Sequence, residues 1–403
     1  MTQPLNTKKP LQRTKADFVT VGVISAIALI GVGTVWATAP IRGSELTPAA
    51  EPFVAESPLT TIPTQLSERW RASDDSSNHK PSITAGVIAT AEGNTVKTYS
   101  PEGELLWSYE RDKELCALST GFDSVVATYK TGVGCGDVIA INANDGQYKA
   151  TRSAIASDTV APITSNDRIG ILGTERVELW RSDLVRTVEY GEVEAPQEAN
   201  QQPNPDCSIT SAMTRRDLLA VTETCPDEST YLRFMTTAPE DSRVPEVSQD
   251  IKIEDGRLIA IGETAAAVYV SQPTPAIVSY NAEGQIVGQI AVDPVEFSDL
   301  PSQQTTADLT HHMSWFTGDR LILLSPSQLN VRQVFDDALG TGTALNGSLL
   351  YPTTEGIAVA NWDTGKVLRT IPVDRAGYTG EVSLGLVGQV LVEKRGSEIV
   401  ALG

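Results

Sequence analysis

The stretch "CGDVIAINANDGQYKA", residues 135–150, places Asn144-Asp145-Gly146 between two apolar, β-branched runs. Asn, Asp and Gly tolerate positive φ, so the triplet reads as the turn of a β-hairpin. Three other stretches have the same form: "SPEGELLWSYE" (100–110), "YNAEGQIVGQI" (280–290) and "NWDTGKVLRTI" (361–371), turning at Gly103, Gly284 and Gly365. The glycines at 103, 146, 284 and 365 are 43, 138 and 81 residues apart, or one, three and two steps of roughly 40–46. Degenerate units are therefore expected in the gaps, at "VELWRSDLVRTVEY" (177–190), "TYLRFMTTAPEDSRV" (230–244) and "LILLSPSQLNVRQVF" (321–335). A period of this length built only of short strands is that of a four-stranded propeller blade.

The last segment, "GSEIVALG" (396–403), matches "CGDVIAIN" (135–142), the strand before the turn. Its outer partner is expected from the start of the domain, where "LSERWRAS" (66–73) places Trp70 as Trp107 is placed after its own turn. That pairing closes the ring and removes an open sheet edge. The fold class is all-β: an eight-bladed propeller over 66–403, with seven blades as the alternative because 291–345 is poorly patterned.

Residues 18–39, "FVTVGVISAIALIGVGTVWATA", carry no charge over 22 positions, enough for a transmembrane helix assigned to 17–39. Lys8, Lys9, Arg13 and Lys15 precede it, so residues 1–16 are expected in the cytoplasm and the rest outside. "ATA" at 37–39 has the form of a signal-peptidase site, but Pro40 follows it and the apolar run exceeds a signal core. A retained single-pass anchor is the reading. Residues 40–65 contain five prolines and read as a semi-extended tether.

The chain has formal net charge −20. The four basic residues ahead of the apolar run leave 27 Lys and Arg against all 51 Asp and Glu. Such an ectodomain is unsuited to nucleic acid or anionic polymers and suited to basic partner surfaces or to plain solubility.

Cys116 and Cys135 are 19 residues apart, Cys207 and Cys225 are 18 apart, and both pairs bracket the first two expected strands of a unit. The repeat selects Cys116–Cys135 and Cys207–Cys225 as structural disulfides, as an extracytoplasmic domain permits. No adjacent or C-x-x-C cysteines suggest metal or redox work.

Catalytic patterns are missing: there is no nucleophile elbow, phosphate loop or H-E-x-x-H. "NANDG" lacks the bidentate Glu of a calcium loop. Of three histidines, His79 reads as a solvated loop residue. His311 and His312 open "HHMSWF", expected as an innermost strand whose neighbours point to opposite faces, so one of them is a candidate channel-lining residue. Asp74-Asp75 and Asp336-Asp337 read as solvated charge. No cofactor is expected. The long acidic interruptions 190–207, 236–250 and 292–310 are where a partner surface is expected, since loops on a rigid scaffold carry binding.

Segments such as "SPEGELLWSYE" and "NWDTGKVLRTI" resemble the pyrroloquinoline-quinone-type (PQQ-like) propeller repeat, in which a Gly turn precedes a strand bearing a docking Trp. Trp107 and Trp70 match that Trp; Ala150 and Arg369 stand in its place elsewhere. The resemblance implies either a quinoprotein dehydrogenase, with a vicinal disulfide that this chain lacks, or a non-catalytic envelope scaffold. The expectation is the second: a membrane-tethered, extracytoplasmic scaffold for other envelope proteins. The alternative is a cofactor- or ligand-binding propeller, enzyme or sensor, that uses the central channel.

Overall fold

The computed structural model describes residues 13–193, 196–303 and 305–403. It divides between Glu45 and Leu46. In the first unit Lys15–Thr38 is one α-helix of 24 residues, apolar on all sides, with no buried residue. At 1.5 Å per residue it is about 36 Å long, enough to cross a bilayer. A signal sequence would pass the same test of length and composition. Thr14 starts it with a capping box: Asp17 N donates to Thr14 Oγ1 at 3.2 Å and Thr14 N to the Asp17 carboxylate at 2.7 Å. Arg13 and Lys15 are described here; Lys8 and Lys9 lie outside the described residues.

The second unit is an eight-bladed β-propeller of antiparallel sheets. In seven blades the four strands follow one another from the channel outwards. Their inner strands are Ser82–Thr84, Leu115–Gly121, Ala161–Thr164, Ser208–Arg215, Arg257–Ile261, Thr306–Asp308 and Thr343–Leu345. The eighth blade runs Val382–Val387, Val390–Arg395 and Glu398–Leu402, and takes Glu68–Ser73 as its outer strand. The degenerate units at 177–190 and 321–335 and the poorly patterned stretch supply the strands expected of them; at 230–244 only Thr230–Thr236 does, and its outer strand comes later, at Val247–Ile253, starting inside the run 236–250 read as an interruption. Leu46, the first residue of this unit, packs against the core of the first two blades.

One device recurs in all eight outer strands. Each carries a one-residue bulge, and the residue after it lies opposite the third strand: Trp70, Trp107, Ala150, Val188, Gln249, Gly288, Gln333 and Arg369. A bulge bends a strand and re-aims the side chain that follows. At Trp70, Trp107 and Gln333 the aim is towards the next blade. Trp70 Nε1 donates to Pro101 O at 2.8 Å, and Trp107 Nε1 to Ala143 O at 2.8 Å. Their rings cover Gly103 and Gly146, where a Cβ would come within 2.6 Å and 2.8 Å of the indole. Both glycines also have positive φ, +92° and +72°. Gln333 replaces indole by amide and donates to Asp363 O at 2.9 Å. Arg369 donates to Ile62 O and Pro63 O at 3.1 and 2.9 Å, just before the chain enters the shared strand.

The ring closes where Glu68–Ser73 pairs with Glu398–Leu402. Asp74, read from sequence as solvated, is fully buried behind that pairing. Its carboxylate accepts Lys394 Nζ at 2.5 Å from the last blade and Ala91 N at 3.0 Å from the first. Burial is tolerable because every charge is met. Asp75 stays exposed.

The segment expected as a tether is laid on the propeller from Leu46 onwards. Ala49 and Phe53 donate their N–H groups to Asp145 O and Asn144 O at 3.1 and 2.9 Å, and Leu59 donates to Gly388 O at 2.8 Å. Phe53 packs on the core of the first two blades, and Leu59, Ile62 and Leu66 pack on that of the last two. Prolines suit such a strap because they leave few N–H groups to satisfy.

Replacing Gly103 by Val is expected to lower stability by about 2 kcal/mol or more, through indole overlap and positive φ. Denaturant unfolding of Gly103→Val against wild type measures this. Gly93→Val has no atom within 4 Å of its added Cβ and only the strain of φ +57°, and should cost less.

Candidate functional site: the central channel

A cavity of about 790 Å³ occupies the channel at the ends of the inner strands of blades two to six. It falls in the size range of small-ligand sites. Thr120, Thr164, Thr214, Ile261 and Asp308 are among the residues that those inner strands bring to it, and Lys80 enters from the segment before the first blade. Short inner strands ending in polar turns cause this: the apolar residues face neighbouring sheets, and the turn residues are left to converge.

The charges in the cavity are mostly paired. Arg215 Nη1 lies 2.9 Å from Asp308 Oδ1, and Arg216 Nε lies 2.8 Å from Glu263 Oε1 at the exposed mouth. Lys80 makes no hydrogen bond or ion pair among the described residues. Burial pushes its ammonium below the usual lysine range, partly opposed by the charge of Asp308. His79 beside it is not solvated as expected. Its ring nitrogens are buried near the Thr306 backbone, and desolvation, together with the Lys80 charge, pushes its pKa down to about 3. It is neutral at any ordinary pH.

The interruption 292–310 contributes to this site rather than forming a free loop. Phe297 stacks on Trp315 at 6.2 Å and meets Tyr269 at 5.3 Å, while Arg257 lies over its ring at 4.9 Å and donates to Ser298 O at 2.9 Å. Anchored there, the segment delivers Ser302 and Gln303 into the cavity; Gln304 lies outside the described residues. Gln303 Oε1 is buried without a hydrogen-bond partner among the described residues.

His311 and His312 sit in the turn between Thr306–Asp308 and Met313–Phe316, not in the innermost strand. Their rings lie 5.5 and 5.3 Å from Trp362 of the next blade. Leu309 and Thr310, just before them, line the cavity instead. The sequence pattern missed Lys80, Arg215, Gln303 and Asp308, because strand alternation does not tell which polar residue faces the channel.

The other two interruptions lock together outside blades three and four. Gln202 Nε2 donates to Arg243 O and Glu189 O at 2.9 and 3.3 Å, and its Oε1 accepts Gly191 N at 3.2 Å. Gln201 also donates to Arg243 O, at 3.3 Å, and the Arg243 guanidinium donates to Gln197 and is held by Asp241. Glu192, Glu198, Asp206, Glu240 and Glu246 stand exposed around this junction. Residues 194 and 195 lie outside the described residues.

The Cys116 and Cys135 sulfurs lie 2.04 Å apart, and those of Cys207 and Cys225 1.98 Å apart, both at disulfide distance. Glu223 adjoins the second pair, and the three could be mistaken for a metal site. The sulfurs are bonded to each other, however, and Glu223 Oε1 already accepts Arg233 Nε and the Tyr190 hydroxyl, at 2.5 and 2.8 Å.

No family model matches the chain, and no curated protein matches it in sequence. Among solved structures it is similar to BamB from Moraxella catarrhalis, at 11% identity, covering 84% of this chain and 99% of that one, with TM-score 0.49. It is similar to the dihydro-heme d1 dehydrogenase NirN in complex with DHE, at 10% identity, 83% and 78% coverage, and TM-score 0.48. It is also similar to KlHsv2 with loop 6CD replaced by a Gly-Ser linker, at 8% identity, 71% and 90% coverage, and TM-score 0.43. At these scores the likeness assigns no activity.

Two outcomes are expected. Phe297→Ala should free the 292–303 segment, so limited proteolysis cuts there first while the rest of the propeller stays resistant; unchanged resistance would count against the anchor. Replacing Cys116 and Cys135 together by Ser should cost about 3 kcal/mol in denaturant unfolding, the loop-closure value for such a span.

Proposed function

We propose that this chain is a membrane-anchored, extracytoplasmic propeller of the PQQ-like repeat type that works as a non-catalytic scaffold for other proteins of a bacterial cell envelope. The helix Lys15–Thr38 is then a retained anchor with its N-terminus in the cytoplasm, in keeping with the basic residues ahead of it. The two cysteine pairs suit an oxidising compartment. Trp70 and Trp107 docked on turn glycines support the repeat type.

The observation that carries the reading is the interlocked surface on blades three and four. A loop that must be ordered on binding spends affinity on its own entropy, and one already ordered does not. Arg243, Gln201 and Gln202 hold two insertions in one arrangement before any partner arrives. The exposed carboxylates around them select a basic partner surface and favour fast, salt-sensitive encounter.

Photo-cross-linking in cells from position 198 or 240 of the full-length protein tests this. One envelope protein with a basic contact surface should be captured from both positions. Glu198→Lys with Glu240→Lys should lower its capture, as should raised salt in membranes. Capture that is spread over unrelated proteins, or that is unaffected by charge reversal, contradicts the scaffold reading.

A further inference from the structure

We infer that the central channel is a binding site for a small monoanionic carboxylate that also carries an N–H or O–H donor, with Lys80 as its counter-ion. This site is independent of the partner surface on blades three and four. It stands on three features of one cavity. The space, about 790 Å³, holds a small organic molecule. Lys80 reaches into it as a cation that nothing described pairs. Gln303, delivered by the anchored 292–303 segment, brings a buried carbonyl oxygen that nothing described satisfies.

Each unpaired group dictates its complement. A half-buried ammonium without a partner costs free energy that an anion recovers by a charge-assisted hydrogen bond. A buried acceptor without a donor is costly in the same way and is satisfied by an N–H or O–H. One molecule with both ends meets both needs. The lowered basicity of Lys80 fits a desolvated ammonium, and Asp308, whose charge partly opposes the shift, is already engaged with Arg215.

The charge of the ligand follows from the lining. Lys80, Arg215 and Arg216 are balanced by Asp167, Glu263 and Asp308. Arg215 and Arg216 are paired, so Lys80 has one positive charge to offer. A dianion such as phosphate would bring excess negative charge among three carboxylates in a chain of net charge −20. A monoanion adds only one negative charge to a lining whose formal charges already sum to zero, and neutral His79 does not change that sum.

The test uses full-length protein in detergent, acylated by acetic anhydride, with the label at each lysine followed by mass spectrometry. Lys80 is read against Lys366, which is exposed on an outer turn. N-acetylglycine is the probe, and N-acetylglycinamide, inorganic phosphate and chloride at equal ionic strength are the controls. N-acetylglycine should slow Lys80 acylation severalfold and leave Lys366 unchanged; the amide and chloride should do nothing, and phosphate less than N-acetylglycine. By calorimetry, Lys80→Met should weaken N-acetylglycine binding about tenfold or more, and Gln303→Ala severalfold. Equal protection by the amide, stronger protection by phosphate, no protection by N-acetylglycine, or a Lys80 that never acylates would each overturn the proposal. The labelling arm needs no variant, so a misfolded Lys80→Met would not spare it.

Discussion

Everything in the propeller depends on one pairing between distant parts of the chain: Glu68–Ser73 against Glu398–Leu402. In seven blades the four blade strands are consecutive, and each blade could form from local contacts. The eighth cannot, and without it the strand Glu398–Leu402 would be left as an open outer edge. The closure is fastened on both sides. Lys394 and Asp74 form a buried pair across it, and Ser67 and Gly403 exchange backbone hydrogen bonds at its end, at 3.3 and 3.0 Å. The strap from Leu46 to Leu66 then crosses the outside of the blades that meet there, with its apolar side chains set into two separate cores. The N-terminal part of the propeller chain therefore serves as the clasp of the ring.

The ring was legible in the sequence because its repeat rests on local chemistry. A turn glycine beneath a docking residue is a short-range signal, and Gly103, Gly146, Gly284 and Gly365 displayed it openly. Even the blades that lost the Trp kept the bulge and the position, as at Gln333 and Arg369. The strap was harder to read. Proline-rich, weakly periodic chain looks the same whether it hangs in solvent or lies on a surface, and only the acceptors at Asn144, Asp145 and Gly388 decide which. The channel was the least legible part. Asp74, His79 and Lys80 stand together in one polar run, "SDDSSNHK", that reads as a solvated loop. Asp74 and Asn78 in this run are buried because it crosses from the outer strand of one blade to the inner strand of the next, a path that exists only once the ring has closed. His311 and His312 fall in a turn rather than in the innermost strand for a related reason: strand alternation places neighbours on opposite faces but does not say where a strand begins.

A consistent division of labour follows from these placements. Turn and docking residues hold blade to blade, and buried ion pairs and two sulfur pairs hold the edges, so the loops between them need not carry the framework. Two insertions use that freedom to build an ordered acidic surface on the outside, and the third turns inward and completes the channel. Rigid framework and grafted loops separate here as they do in other loop-bearing scaffolds.

The most direct test of this account is amide hydrogen exchange on the full-length protein, followed peptide by peptide. If the strap and shared strand close the ring, residues 68–73 should be protected to the same degree as 398–402, and 46–66 should exchange well below the free-chain rate. Exchange of 46–73 at the free-chain rate, with the blades still protected, would contradict it: the ring would then stand without its clasp.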